Sequence, residues 1–272
     1  MILRKPSWLN LCRYFLTNCL HSFAKPPTSR VDFKKLRPMI LKRIEDRSSF
    51  YPIKSFVPVA QEVLNARARL IQGVSKLIQF FPVLKCKFCS EVFIGETGHL
   101  IQTCKSYRRK SKNRLHEWVP DLNEYCRISD SLDHTNPLPE HELKFCANNT
   151  LKDWETVRWG VKKLLMVYPV KVCCNCDEVH VGPSGHRARL CGVFKNEHWN
   201  GFHFWKNALV DDLVPPKIVW RRRCQDPPVL VNEGKGYYGH SPAIVDLCLK
   251  AGAMMPRSYG PMMKEFGLTA PR

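Results

Sequence analysis

The chain is 272 residues long, enough for one or two domains with a real core, and carries thirteen cysteines. Its 43 Lys and Arg against 24 Asp and Glu leave a net charge of +19, a field that attracts polyanions, nucleic acid above all. No apolar run reaches the length of a helical membrane span, and there is no Walker loop, dinucleotide fingerprint or nucleophile elbow, so neither a membrane nor a small-molecule substrate is an expected partner.

Residues 1–31 contain no Asp or Glu but include Arg4, Lys5, Arg13, Lys25 and Arg30, with Leu3, Trp8, Leu11 and Phe15 available for an apolar helix face. That composition predicts an organellar transit peptide, mitochondrial in preference to chloroplast because serine is sparse and arginine comes early. Residues 32–57 read as a basic connector, extended or partly helical. Between Val59 and Phe81, the positions Val63, Leu70, Val74, Leu77 and Phe81 recur at helical spacing, an amphipathic stripe that Pro82 stops. Leu151, Val157, Val161, Leu164 and Tyr168 trace a similar stripe that Pro169 ends.

Each stripe leads into the same pattern. Cys86, Cys89, His99 and Cys104 spell C-x2-C-x9-H-x4-C, and Cys173, Cys176, His186 and Cys191 spell it again 87 residues later. At the same offset Gly73, Glu91, Gly95, Gly98, His116 and Trp118 recur as Gly160, Glu178, Gly182, Gly185, His203 and Trp205, which marks an internal duplication. The predicted fold is α+β, with two small zinc-stabilised repeats at residues 58–126 and 151–253, each an amphipathic helix followed by a Cys-His module. A polar linker at 127–150 would separate them and a basic tail at 254–272 would follow. Within each module the C-x2-C is expected on a tight turn between short strands, and the His-x4-Cys segment at the start of a short helix. After the second module, SPAIVDLCLKAGA reads as a helix with Ser241 as N-cap, Pro242 in the first turn and Gly252 as its stop.

Zinc takes four N and S ligands in a tetrahedron, and two cysteines two residues apart can grip one ion from a turn. The expected ligands are therefore Cys86, Cys89, His99 and Cys104 for one zinc, and Cys173, Cys176, His186 and Cys191 for a second; an iron–sulfur cluster, buried free thiols or a redox C-x2-C pair, the last without an obvious thioredoxin-like unit around it, are the alternatives. A saturated Cys3His set leaves no open position for water or substrate. The acidic pair Asp211 and Asp212 has only Glu124 as an echo in the first copy, so an enzyme is not expected. Cys174 and His180 are matched by Lys87 and Phe93, which sets them outside the shared site. His116 and His203 each precede a matched tryptophan by two residues and read as His-x-Trp pairs packed on the metal core. Cys12, Cys19, Cys126, Cys146, Cys224 and Cys248 have no repeat partners and read as ordinary thiols.

Basic residues gather in three places: Lys105, Arg108, Arg109, Lys110, Lys112 and Arg114 around Tyr107; Arg187 and Arg189 after the second module's histidine; and Arg221, Arg222 and Arg223. With Trp199, Phe202, Trp205 and Trp220 to stack on unpaired bases, these are the expected RNA contacts.

The stretches VPVAQEVLNARARLIQGVSKLIQFFPVLKC, CCNCDEVHVGPSGHRARLC, GFHFWKNALVDDLVPPKIVW and SPAIVDLCLKAG resemble the plant APO proteins, named for accumulation of photosystem one, over most of residues 57–253. The resemblance implies an organellar RNA-binding protein of land plants with two zinc-binding repeats, which promotes splicing of group II introns alongside other splicing factors. Two departures stand out: Phe93 occupies a position where the family pattern has histidine, and no clear copy of the DDLVPP stretch or of the PAIVDLC helix follows Trp118. The rival reading is a structural or assembly factor for an organellar complex, a ribosome or an iron–sulfur respiratory enzyme. A third, a zinc nuclease, would need Asp211 or Asp212 as its base.

Overall fold

The computed structural model describes residues 33–48, 51–105, 114–120, 139–192 and 201–264. The expected transit peptide, residues 106–113 of the first basic run, residues 127–138 of the expected linker, Trp199 and the end of the basic tail lie outside them. The chain divides into two units, Met1–Pro52 and Ile53–Arg272. In the first, helix α1 spans Phe33–Ser48, within the expected connector.

The second unit holds both repeats. Helix α2 (Val57–Leu77) starts at a turn in which Pro58 needs no N–H partner, and it buries Ala66, Leu70 and Leu77. Helix α3 (Glu140–Leu165) begins inside the expected linker. Glu140 and Glu142 sit in its first turn, where the helix dipole favours acids, and Ala147 and Thr150 are already buried there. Packing thus carries the helix well upstream of the stripe read from Leu151.

The two helices run antiparallel. A Cβ placed on Gly73 would fall on Thr150, and one placed on Gly160 would fall on Val63. Gly73 and Gly160 are matched positions of the duplication, as are Val63 and Thr150, so the helix contact is a pseudo-twofold one. Arg69 crosses it, its Nε donating to Oδ1 of the mostly buried Asp153 at 2.9 Å. The repeats are therefore not two separate bodies. Leu70, Leu77, Leu151, Trp154 and Val157 share one core with Val219, Val245 and Leu247 from the C-terminal segment. Each such side chain contributes about 1.5–3 kcal/mol of burial.

A small antiparallel sheet follows each helix. Strands β1 (Val83–Cys86), β2 (Val92–Ile94) and β3 (Trp118–Pro120) lie in the order β2-β1-β3. Strands β4 (Val170–Cys173), β5 (Val179–Val181) and β6 (Trp205–Asn207) lie in the order β5-β4-β6. The registers repeat as well: Cys86 pairs with Trp118 and Cys173 with Trp205. The C-x2-C turns lie between strands as expected. The His-x4-Cys segments, by contrast, are not helical. Cys104 forms an isolated antiparallel bridge with Arg114, and Cys191 one with Gly201.

Past β6 come a short helix α4 (Val210–Leu213), a hairpin of β7 (Ile218–Arg221) and β8 (Gly239–Pro242), helix α5 (Ala243–Lys250) and a final turn α6 (Gly260–Met263). Ser241 lies in β8 rather than at the helix N-cap, because the hairpin pairs it with Val219. Gly252 does stop α5. It takes φ +85°, and the next amide, Ala253, donates back to the Cys248 carbonyl at 2.9 Å.

The C-terminal segment breaks the symmetry. Trp220, Leu230 and Tyr238 pack on Phe93 and Ile101 of the first copy, and α5 lies against β2. Val92 and Ile94 are accordingly 5% and 3% exposed, while their second-copy counterparts Val179 and Val181 are 43% and 72% exposed.

Replacing Gly73 or Gly160 by valine forces the helices apart and is expected to cost about 1–3 kcal/mol each, read as a lowered Tm. Gly236→Ala, where an added Cβ meets nothing, serves as the neutral control. Equal Tm values for all three would contradict the close helix contact.

Candidate metal centres

In each module three sulfurs and one imidazole nitrogen converge. The Cys86 and Cys104 sulfurs are 3.9 Å apart, and the Cys89 sulfur is 3.5 Å from His116 Nδ1. In the second copy Cys173 and Cys191 are 3.7 Å apart, and Cys176 is 3.5 Å from His203 Nδ1. All four ligand atoms of each set lie within 4.8 Å of one another. A tetrahedral ion with metal–sulfur bonds of about 2.3 Å needs sulfurs about 3.8 Å apart and slightly shorter sulfur–nitrogen edges. The donor sets fit, so each could hold a metal ion.

His99 and His186, chosen on spacing, lie outside the sulfur sets. His99 Nδ1 accepts the Ile101 amide at 3.1 Å, and Nε2 donates to Glu91 Oε1 at 2.8 Å. His186 is placed alike: Nδ1 accepts the Ala188 amide and Nε2 contacts Glu178. Both nitrogens of each ring are already committed. His116 and His203, read as packing residues, are instead the nitrogen donors. They do stack on their tryptophans, with ring centroids 4.8 Å apart in both copies.

The carboxylates Glu91 and Glu178 organise the imidazoles. Glu91 Oε2 lies 3.5 Å from His116 Nε2, and the Thr103 hydroxyl contacts both, at 3.3 Å from Glu91 and 3.0 Å from His116. Glu178 Oε2 lies 3.2 Å from His203 Nε2. His116 Nε2 thus faces the Thr103 hydroxyl and His203 Nε2 the Glu178 carboxylate, which leaves the Nδ1 atoms turned towards the sulfurs, the side on which a metal-ligating histidine is wanted. Burial would raise Glu91, yet the His99 hydrogen bond, with His116 and Thr103 adding, holds its carboxyl below the ordinary value.

The matched glycines and tryptophans lock this arrangement. A Cβ on Gly98 would enter the Trp118 indole and one on Gly185 the Trp205 indole. Those indoles donate to the His99 and His186 carbonyls at 3.1 and 3.0 Å.

The sulfurs are unequal. Burial raises the Cys173 thiol, but amides of Asn175 and Cys176, then His203 and Phe204, outweigh it and bring it down to about 6. Burial, reinforced by the Cys173 and Cys176 sulfurs, pushes Cys191 up to about 12. Burial likewise takes Cys89 up to about 12 against an amide bond from Glu91, while the Phe88 and Cys89 amides carry Cys86 below its ordinary value despite burial. Without a cation the clustered sulfurs do not share several negative charges. A divalent ion bound there would supply the missing positive charge.

The basic residues are divided by the fold. Lys105 lines a cleft of about 540 Å³ with Glu91, Lys217, Trp220 and His240. Arg114, Arg187 and Arg189 are exposed, and the Arg189 guanidinium sits 4.7 Å from the centre of the exposed Phe202 ring. Arg222 is exposed and bonds the Pro227 carbonyl, while Arg221 is half-buried, 4.0 Å from Asp246. Arg223 does not fit its expected RNA role. It is 6% exposed, with Nε and Nη2 on Asp226 and Nη1 on the Lys264 carbonyl. The acid three residues later made that pairing available in the sequence. Arg108, Arg109, Lys110 and Lys112 lie outside the described residues. Asp211 pairs with Arg158 at 2.7 Å, and Asp212 accepts the Leu209 amide at the start of α4, so both carboxylates have structural partners. Among the described residues Cys146, Cys174, Cys224 and Cys248 take part in no disulfide.

Sheet, turn and donor set define a duplicated Cys3His module protein whose two copies are fused through paired helices. The chain belongs to the APO RNA-binding family, which matches it twice, over residues 25–134 and 127–262. It is 31% identical to APO protein 2, chloroplastic, of Arabidopsis thaliana, across 79% of this chain and 68% of that one. It is 28% identical to APO protein 1, chloroplastic, and 29% identical to APO protein 3, mitochondrial, both of Arabidopsis thaliana. Each of those alignments covers 85% of this chain, and 73% and 77% of the relative respectively. These relatives are organellar proteins of both compartments. No solved structure matches the chain significantly.

His116→Ala and His203→Ala are each expected to remove one equivalent of bound metal. His99→Ala and His186→Ala should keep the stoichiometry and weaken affinity by about 10–100-fold. Metal analysis after competition with a chelator reads both, and the opposite ranking would restore the spacing-based assignment. Because the Cys89 and Cys191 protons are held up to about 12, loading metal at neutral pH should release at least one proton per site, and affinity should rise with pH. Proton release in weak buffer measures this, and loading without release would contradict it.

Proposed function

We propose that this protein binds single-stranded organellar RNA without performing chemistry on it, using zinc in both modules to hold the two sheets rigid. The zinc assignment rests on the three sulfurs, the single nitrogen and the tetrahedral spacing of each set. The observation that carries the RNA reading is the exposed second-copy surface where Arg189 covers Phe202 beside Arg187, with Phe204 also exposed. Arginine and open aromatic faces together are what unpaired, stacked bases require. The family to which the chain belongs and its net charge of +19 support the same partner.

The RNA we propose is the group II intron portion of organelle transcripts, following the resemblance to the plant APO proteins, with other splicing factors as co-partners. The compartment we propose is the mitochondrion, on the acid-free, arginine-bearing first 31 residues. The protein would neutralise phosphates and hold bases apart while the intron supplies its own catalytic centre. A protein-docking role has one observation in its favour: Phe145 and Trp159 on α3 and Met166 just past its end are 70%, 56% and 79% exposed.

Immunoprecipitation from the organelle with and without RNase separates these. Enriched intron-containing transcripts support the RNA reading, and an RNase-resistant protein partner with no enriched RNA supports docking. In vitro, affinity for a single-stranded RNA should fall steeply with salt. The slope of log K against log salt should flatten by about 1.4 in an Arg187→Ala, Arg189→Ala double variant if both residues neutralise a phosphate. Salt-independent binding would count against the reading.

A further inference from the structure

The cleft of about 540 Å³ opens where the C-terminal hairpin meets the first module, and its size is within the range of about 300–1,000 Å³ that encloses small ligands. The module contributes Ser90 and Lys105 to it, and the hairpin contributes Lys217, Ile218, Trp220 and His240. Both lysines are exposed and stand on fixed backbone. Lys105 follows Cys104, whose amide donates to the Arg114 carbonyl at 3.1 Å, and the Lys217 carbonyl accepts the Ala243 amide at 2.6 Å. The one acid on the lining, among the described residues, is Glu91, and its carboxylate is turned to His99 Nε2 at 2.8 Å and the Trp220 indole at 3.1 Å. Trp220 and His240 face each other on the paired strands, with ring centroids 4.1 Å apart. Burial, with Lys264 adding, holds His240 below its ordinary value, so it offers a neutral ring.

The duplication separates what the metal module needs from what this cleft adds. Cys89, Glu91 and Val92 also line the cleft, and they recur as Cys176, Glu178 and Val179, so they belong to the shared framework. Ser90 and Lys105 do not recur: Asp177 and Gly192 stand at their places in the second copy. A module can therefore be built with an acid in place of the hydroxyl and no cation in place of Lys105. The first copy has neither need of that ammonium nor an acid to pair with it, yet holds it at a cleft to which the hairpin brings a second lysine.

We propose that this cleft holds one nucleotide of a bound single-stranded RNA, with its base against the Trp220 and His240 side and its two flanking phosphates on Lys105 and Lys217. A lysine from each contributing element, with rings and the apolar Ile218 beside them, suits a group that is flat in the middle and anionic at both ends. A nucleotide within a chain is such a group. A free mononucleotide carries its charge at one end and would leave one lysine unused. The inference rests on the RNA-binding reading, and it adds a contact in the first copy to the Arg187 and Arg189 surface of the second.

The test uses the full metal-loaded chain and a short fluorescent oligouridine. Lys217→Glu and Ser90→Asp should each weaken binding by about tenfold, since each sets a carboxylate beside a phosphate. The second copy carries aspartate at the Ser90 position, so Ser90→Asp should keep the metal content of the unaltered chain, and Lys217 lies outside the module altogether. Lys76→Glu, on α2 and away from the cleft, makes the same change in net charge as Lys217→Glu and should cost much less. A Lys105→Ala, Lys217→Ala double variant should flatten the slope of log K against log salt by about 1.4, and this change should add to that of the Arg187→Ala, Arg189→Ala variant. RNA carrying photoreactive thiouridine should crosslink within residues 216–220 or at His240, and excess uridine monophosphate should leave the RNA bound. Cleft variants that bind like the unaltered chain, an equal loss in Lys76→Glu, crosslinks confined to the second copy, or displacement by the mononucleotide would each overturn the cleft and leave the RNA reading standing. Failure of the unaltered chain to bind any RNA would overturn both.

Discussion

Everything in the second unit hangs on three sulfurs and one imidazole nitrogen meeting at a point, twice. Each sheet has strands of only three or four residues. Sheets so small bury too little apolar surface to be stable alone, and a metal held across a turn and a distant loop would substitute for the missing core. The glutamates five residues after each first cysteine make this possible. They engage the Nε2 atoms of His99 and His186 and lie 3.5 and 3.2 Å from the outer nitrogens of His116 and His203, whose inner nitrogens face the sulfurs.

The duplication is used unequally. Helix packing treats the copies as equals, with Gly73 against Thr150 mirrored by Gly160 against Val63. The sheets are not equals. The C-terminal hairpin and helix cover the first copy and give it an interior, so Phe93 and Ile101 are buried among Leu230 and Tyr238. The second copy keeps the framework but leaves Val179 and Val181 in solvent, with arginines at its rim. One copy has become scaffold and the other surface. His180 standing where the first copy has Phe93 fits that division, since a phenyl ring suits a covered face and an imidazole an open one.

Much of this was legible in the residues, and the part that was not has a physical cause. The cysteine spacing, the prolines that follow each helix a turn beyond its end and the glycines before each histidine repeat at one offset, and all are local chemistry. The choice between His99 and His116 was not local. Both histidines recur in both copies, so the repeat cannot separate them, and what does is a backbone amide two residues after His99 that occupies its Nδ1. The matched Glu91 and Glu178 were visible but carry no motif of their own. Arg223 read as part of a basic run because charge runs are usually solvated, yet Asp226 draws it inside. The coverage of the first copy by a segment more than a hundred residues downstream leaves no periodic trace at all.

X-ray absorption at the metal edge of the intact protein would test the central claim most directly, because it counts donor types around each bound ion without a substitution. The account predicts two metal ions per chain, each with three sulfurs and one imidazole nitrogen at tetrahedral distances. One ion per chain, or a shell with two imidazoles, would contradict it: the first would mean that the copies do not both close, the second that His99 or His186 joins the ion after all.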